Sequence, residues 1–392
     1  MPPSEVIINL PGFTIISMQG YGVNLTYHVE SNLEAKCLYC SSLNLRCKDS
    51  FWRTIRHTDQ CDRHVFLKLK CRKFRCNQCF KYFNQRFTGV LPYQRVTEAF
   101  KKQVSRRHWD GIPQSRVAVN DKISHSSVHR YFLRDLYLEG QKLKNAMFPK
   151  VIGIDEHFFT RKQGYATTIA DLRRRKVFDV LPGRSELSLK QELLKIAGRD
   201  RVKVVCMDLS TTYRSIATKY FPNALIVADR FHVIRLINQK FMELWKQLDA
   251  KGRYNRGLLS LMRRHYFNLR EDQKINLNKY LHSIPGLHAS YWFKQGLAEL
   301  MLHKHLRRYE CVPLVKEFLQ RINQLDESGF ECMRQLGKTL DDWKDEIVRM
   351  WRFTKNNSIT EGLHNKIERV QRQACGFRNF ANYRTRVKVM CA

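Results

Sequence analysis

The 392-residue chain contains no run of 18 or more apolar residues, which excludes a helical membrane span. Residues 6–27 lack charge, but Pro11, Gln19, Gly20, Gly22 and Asn24 interrupt them. Met1-Pro-Pro-Ser-Glu5 lacks the basic stretch of a secretory signal, so a cytoplasmic, reducing location is expected. Acidic residues are scarce: 36 Asp and Glu face 70 Lys and Arg, for a net charge of +34. A surplus of this size repels itself in the compact state, and a polyanion relieves the repulsion. Nucleic acid, bound through counterion release, is the expected partner. Apolar residues are not scarce. At 43% hydrophobic and 11% aromatic the chain has material for real cores, which excludes wholesale disorder.

Of the 12 cysteines, Cys37, Cys40, Cys47, Cys61, Cys71, Cys76 and Cys79 fall in one short segment. Without a secretory signal, disulfides are not expected. Cys37-Leu-Tyr-Cys40 and Cys76-Asn-Gln-Cys79 are two C-x-x-C knuckles. Each offers two thiolates, and together they complete a tetrahedral site for a structural Zn2+. The spacer between them is longer than usual, so it must hold a strand hairpin or an extra loop. Cys47, Cys61 and Cys71 are spare thiols, and His57 and His64 are competing ligands. Basic residues from Arg46 to Arg75 are interleaved with Phe51, Trp52, Phe66, Phe74, Phe80, Tyr82 and Phe83. This pattern suits phosphate contact and stacking, although most of these rings are as well explained by a small zinc-stapled core.

Residues 96–108 have apolar Val96, Phe100 and Val104 at helical spacing. In the following stretch, Ala118 and Val128 fit the small and branched positions of a helix-turn-helix. Ile123 would plug the turn and Ser124 would cap the second helix. That helix would offer Ser126, Ser127, Arg130 and Arg134 to a DNA groove. Lys122 stands where a turn glycine is common. A plain helical hairpin is the alternative.

From Lys150 the texture changes. Val151-Ile-Gly-Ile-Asp155, residues 164–170, residues 176–181, Val202-Lys-Val-Val-Cys-Met-Asp208 and Ala224-Leu-Ile-Val-Ala-Asp229 read as strands. Helices are expected at residues 187–196, with Leu187, Leu194 and Ile196 partly on one face, and at 213–220. The order β-β-β-α-β-α-β fits an RNase H-like sheet. Three of the strands end in Asp. A single such Asp is as readily a turn or cap residue, but three in succession would repel one another unless a divalent cation, Mg2+ or Mn2+, gathered them. A pair of such ions activates an attacking oxygen and stabilises a leaving one at a phosphodiester. Alternation sends Asp155 and Glu156 to opposite faces, so only one of them serves as a ligand, and Asp155 is the choice.

Residues 241–353 read as an all-helical, basic insertion. Leu244, Trp245, Leu248, Leu297, Leu300 and Met301 mark its core faces. Beyond it, Ile359, Leu363, Ile367 and Val370 form one apolar stripe, with Glu361, Asn365 and Glu368 opposite. Ser358-x-x-Glu361 is also a capping box, so chemistry alone does not single out Glu361.

Taken together, the two knuckles, Gly153-Ile-Asp155, Met207-Asp208-Leu-Ser-x-x-Tyr213, Ala228-Asp-Arg-Phe-His-Val233, Asn357-x-x-x-Glu361-Gly-x-x-Asn365-Lys-Ile367 and Gly376-Phe-Arg-Asn-Phe380 resemble the ISL-three family of bacterial insertion-sequence transposases. The resemblance runs from about Cys37 to the C-terminus. It implies an RNase H-like DNA transposase whose Asp155, Asp208 and Glu361 form an Asp-Asp-Glu triad holding Mg2+ (or Mn2+). Asp229-x-x-His232 matches a D-x-x-H signature, in which His232 positions DNA or the metal-bound phosphate. Asp229 is the alternative second acid. Asp208 ranks above it because, in this sheet order, the fourth strand lies beside the first. The implied partners are double-stranded DNA (terminal inverted repeats and target) and further copies of the chain assembled on it in the nucleoid.

The expected layout is multidomain and of mixed α+β and α/β class. It comprises a zinc ribbon (1–90), a helix-turn-helix (91–148), the first part of the catalytic core (149–240), the helical insertion (241–353) and the last part of the core (354–392). Two rivals remain open. One is a catalytically inactive, sequence-specific DNA-binding regulator derived from a transposase, and the other is an RNase H-type nuclease without terminal-repeat preference.

Overall fold

The structure, a computed structural model, describes residues 7–353, 358–374 and 376–391. The chain divides into two compact units. One comprises residues 1–139 with 373–376, and the other 140–372 with 377–392.

In the first unit a sheet of order β1-β2-β4-β3 is built from β1 (Phe13–Tyr21), β2 (Asn24–Ser31), β3 (Leu45–Arg56) and β4 (His64–Cys76), with short β5 (Tyr82–Asn84) on β4. Strand β4 alternates cleanly. Val65, Leu67, Leu69 and Cys71 are buried, while Phe66, Lys68, Lys70 and Arg72 stand on the other face, the period of a sheet with one face in the core. The long β3–β4 hairpin fills the spacer between the knuckles, as the spacing requires. The β1–β2 hairpin was not expected from the sequence. Its second strand runs parallel to β4, with Leu25, Tyr27 and Val29 buried against it.

Three helices follow: α1 (Glu98–Trp109), α2 (Gln114–Asp121) and α3 (His125–Lys142). Thr97 caps α1 by accepting from the Phe100 N–H, and Ser124 caps α3 by accepting from the Ser127 N–H at 3.2 Å. Val96, Phe100, Val104, Val117, Ala118 and Val128 form their common core. Lys122 ends α2 in the left-handed region at φ 52°, a conformation that favours glycine.

The second unit is built on a mixed sheet of order β10-β9-β6-β7-β8. Strands β6 (Val151–Thr160), β7 (Gly164–Asp171) and β8 (Lys176–Pro182) form an antiparallel meander, and β9 (Val204–Met207) and β10 (Leu225–Ala228) run parallel to β6. The helices α4 (Glu186–Lys195), α5 (Thr211–Tyr220) and α6 (Arg230–Leu248) are capped by Ser185, Ser210 and Asp229 respectively. They cover one face, packing on Ile152, Ile154, Val205 and Met207. The apolar face expected for α4 is corrected. Leu189 and Leu193, one helical turn apart, are buried, whereas Leu187 is 85% exposed and Leu194 48% exposed. The packing stripe follows the i, i+4 pair, not the residues at the helix ends.

Helices α7 (Arg256–Arg263), α8 (Glu271–His282), α9 (Pro285–Leu302), α10 (Arg308–Asp326), α11 (Glu331–Asp342) and α12 (Lys344–Arg352) form the insertion, which contains no strand among its described residues. Leu244, Trp245, Leu297, Leu300 and Met301 are core residues of it, as their spacing predicts. The chain then returns to the other face of the sheet as α13 (Ser358–Gln373) and α14 (Phe380–Met390), burying Leu363, Ile367, Val370, Tyr383 and Val387 against Ala166, Ala170 and Cys206. Among the described residues no helix is long and apolar enough to cross a membrane.

Candidate active site

The site forms where β6, β9 and β10 end side by side. Ile154 pairs in register with Met207, and Met207 with Ala228. The next residue on each strand is Asp155, Asp208 and Asp229, so the three carboxylates occupy adjacent register positions. β9 lies between β6 and β10, which makes Asp208 the immediate neighbour of Asp155. By strand alternation position 208 shares the face of Cys206, the face covered by α13. Asp155 lies on that face too, since its Oδ2 is 3.8 Å from His364 Nδ1 of α13. Glu156 points away from His364 and pairs with Arg184 at 3.4 Å.

Electrostatics mark Asp155 and Asp208 as strained without a cation. Burial pushes Asp155 up to about 7, and Asp208 and Asp229 add to the rise against the N–H of Glu156 and the cation of His232. Asp208 is raised by burial and by Glu156 and Asp229, again against His232. Its Oδ1 is buried and accepts no hydrogen bond among the described residues, which is costly for a carboxylate unless a cation is present. The His232 Nδ1–H donates to Asp229 Oδ2 at 2.6 Å. This bond raises the imidazole's affinity for its proton, with Asp155 and Asp208 contributing. Asp229 also accepts from the Phe231 N–H. Its carboxylate is therefore engaged as a helix cap and histidine partner.

Glu361 lies in the first turn of α13. Its side chain lies outside the described residues, as do residues 354–357 at the start of its motif. Position 361 precedes His364 by one helical turn. His364 went unnoticed in the sequence, although its i, i+3 spacing from Glu361 was the available signal. Its Nε2 pairs with Thr168 Oγ1 at 3.3 Å, and Thr168, the register partner of Asp155, pairs with His157 Nδ1 at 2.8 Å. His157 Nε2 meets Tyr383 Oη at 2.5 Å. Burial pushes His157 down to about 3, helped by His364, and His364 down to about 4. This neutral chain of hydrogen bonds runs from His364, beside Asp155, to Tyr383.

A second cluster lies in the first unit. The Cys37, Cys40, Cys76 and Cys79 thiols are all within 4.8 Å of one another, and no other group of three or more His, Cys, Asp or Glu ligand atoms among the described residues is this tight. Cys37 is 3.5 Å from Cys79, and Cys40 is 3.5 Å from Cys76. The knuckles are built alike. After each pair the chain turns on a left-handed residue, Ser41 at φ 60° and Phe80 at φ 58°, and backbone N–H groups of Tyr39 and Cys79 point at the Cys37 and Cys76 sulfurs. The N–H donors of Cys79 and Gln78 hold Cys76 down at about 6, despite burial. Against the N–H of Ser42, burial and the hydrogen bonds of its neighbouring thiols push Cys40, in the same cluster, up to about 12, so the convergence of four sulfurs is what marks the chemistry of a zinc site. The competing ligands are occupied elsewhere: His57 bonds Ile8 O and Thr97, and His64 bonds Arg56 and Asp59.

The DDE-type transposase family of the ISL3 class matches residues 152–387. The chain belongs to this family. Over 386 residues, covering 92% of this chain and 93% of the relative, it is 24% identical to the transposase for insertion sequence element IS1001 of Bordetella parapertussis.

On α3 of this transposase, Ser126 and Arg130 are exposed and Ser127 is half-buried. Ser127 Oγ pairs with Ser124 and accepts from Arg130. Arg134, 51% exposed, is paired with Glu98 at 3.1 Å, so part of its charge is already compensated.

Proposed function

We propose that the protein is an RNase H-like insertion-sequence transposase that binds terminal inverted repeats and cuts and joins DNA strands with Asp155, Asp208 and Glu361 as its catalytic acids. The observation that carries this reading is the adjacency of Asp155 and Asp208 on one sheet face. The helix bearing Glu361 covers that face, and a buried Asp208 oxygen there has no hydrogen-bond partner among the described residues. A meander of three strands followed by two parallel strands, with its first and fourth strands adjacent, supports the RNase H-like reading. Asp155, Asp208 and Glu361 would hold Mg2+ or Mn2+, which supplies electrophilic stabilisation of the reacting phosphate and activation of the attacking oxygen. Asp229 caps α6 and orients His232, whose retained proton faces the developing phosphate charge. The Glu156 N–H holds the Asp155 carboxylate at 2.8 Å, and the hydrogen-bonded chain of His364, Thr168 and His157 walls the site beside it.

Zn2+ held by Cys37, Cys40, Cys76 and Cys79 makes the first unit a zinc ribbon. Helices α2 and α3, with Ala118 at their crossing and Ile123 in the turn, make its helix-turn-helix. Ser126, Ser127, Arg130 and Arg134 face a DNA groove. Copies of the chain assemble on the paired ends of the element. In the test, purified protein is incubated with duplexes bearing the inverted repeats that flank its gene. Metal-dependent nicking at the repeat ends is expected, and it should fall by about a thousandfold or more in Asp208→Ala. Full activity of that variant would overturn the assignment.

A further inference from the structure

Beside the acids, the second unit carries an open groove of about 910 Å3 between α6 and α7. Its floor is apolar, made by Phe231, Ile234, Met242 and Leu259, and its rim carries Arg235, Lys246 and Arg263. Those three cations are exposed and have no acidic partner among the described residues. Glu243, the one acid on the rim among the described residues, is paired with Lys240 at 2.8 Å. Phe231 is 46% exposed at the end of the groove nearest the site. Its ring meets that of His232 edge-on, with centroids 5.6 Å apart, and His232 is bonded to Asp229. From Phe231 to Lys246 the wall of α6 extends about 22 Å, which is room for several nucleotides.

We infer that this groove binds an unpaired DNA strand leaving the scissile phosphate, with Phe231 stacking on the first unpaired base. The groove and an unpaired strand have matching surfaces. A duplex presents phosphates outward and hides its base faces, so it has nothing to lay on an apolar floor. An unpaired strand presents both, a π-face for each base and a charged backbone, and it is bound by aromatic platforms in cationic grooves. The floor meets the bases, the three rim cations meet the phosphates, and the continuity of Phe231 with His232 places the first stacked base beside the acids. The inference deepens the transposase reading and rests on it for the source of the unpaired strand, but its test does not require cleavage.

The full chain with its zinc, in buffer without added Mg2+ or Mn2+, is irradiated with an oligothymidylate carrying 5-iodouracil, and the cross-linked peptide is identified by mass spectrometry. The expected cross-link is to Phe231. It should be absent in Phe231→Ala and weakened by about fivefold or more in Arg235→Glu/Lys246→Glu, and a duplex of the same sequence should not produce it. Cross-links confined to other segments, an unchanged yield in Arg235→Glu/Lys246→Glu, or equal labelling by the duplex would overturn it. Cross-linking at Phe231 by a protein that never nicks terminal repeats would sink the transposase activity alone. Nicking by a protein that does not cross-link there would sink the groove alone.

Discussion

Replacing Asp155 with Asn should stabilise the metal-free protein while abolishing strand cleavage. Asp155 is 13% exposed, and burial beside two other carboxylates raises it from 3.8 to about 7. Below about pH 4 the carboxyl is protonated in both the folded and unfolded chain, and it costs nothing. Between about pH 4 and 7 the unfolded carboxyl ionises while the folded one keeps its proton, so stability is lost as pH rises. Above pH 7 the loss levels off at about 4 kcal/mol, an upper limit. Asn escapes this loss and retains the oxygen that accepts the Glu156 N–H at 2.8 Å. Thermal unfolding in EDTA should show wild type and Asp155→Asn converging near pH 4 and separating toward pH 8. At about 2–4 °C per kcal/mol for a unit of this size, the gap would reach up to about 16 °C. Mn2+ should close the gap by stabilising wild type only. A variant less stable than wild type in EDTA at pH 8, or equal stabilisation of both by Mn2+, would refute the picture of carboxylates crowded for a cation.

Zinc analysis of the purified protein should find about one ion per chain, lost in Cys76→Ala, whose first unit should then unfold at lower denaturant concentration. Lys122→Gly should stabilise the first unit by about 1 kcal/mol by relieving the left-handed φ of 52° at the end of α2; chemical denaturation reads this, and a loss of stability would contradict it. Asp179, 2% exposed, is held by Arg384 at 2.7 and 2.8 Å and by Lys388 at 3.1 Å. Arg384→Ala should therefore cost about 3 kcal/mol of the second unit's stability, whereas Arg372→Ala, which breaks only an exposed pair with Glu368, should cost under about 1 kcal/mol.

The core strands were legible because runs such as Val202-Lys-Val-Val-Cys-Met are β-branched and bounded by turns, and the acids at their ends were legible with them. The pairing of β9 with β6 follows once those strands are placed in one sheet. The β1–β2 hairpin was not legible. Strand β1 lies at the sheet edge and is exposed along most of its length, and a register shift between Ile15 and Ser17 sets apolar Ile15 and Ile16 side by side, so no unbroken period-2 pattern shows. The stripe of Leu363, Ile367 and Val370 located the helix bearing Glu361, but nothing in its chemistry separated that acid from a capping residue; only the family resemblance did. His364 escaped because a histidine on a half-buried helix face shows its partners, Asp155 and Thr168, only after the sheet has formed. The knuckle thiols were found by spacing. The dismissal of His57 and His64 as ligands required their actual hydrogen bonds.

The central claim is that side chains distant in sequence converge on shared cations, and anomalous diffraction from crystals of the protein soaked in Mn2+ tests it directly. Manganese peaks are expected between the carboxylates of Asp155 and Asp208 and within reach of Glu361, and they should disappear in Asp208→Ala. Manganese bound by Asp229 and Glu156 with Asp208 uncoordinated, or no bound ion at the ends of β6 and β9, would contradict it.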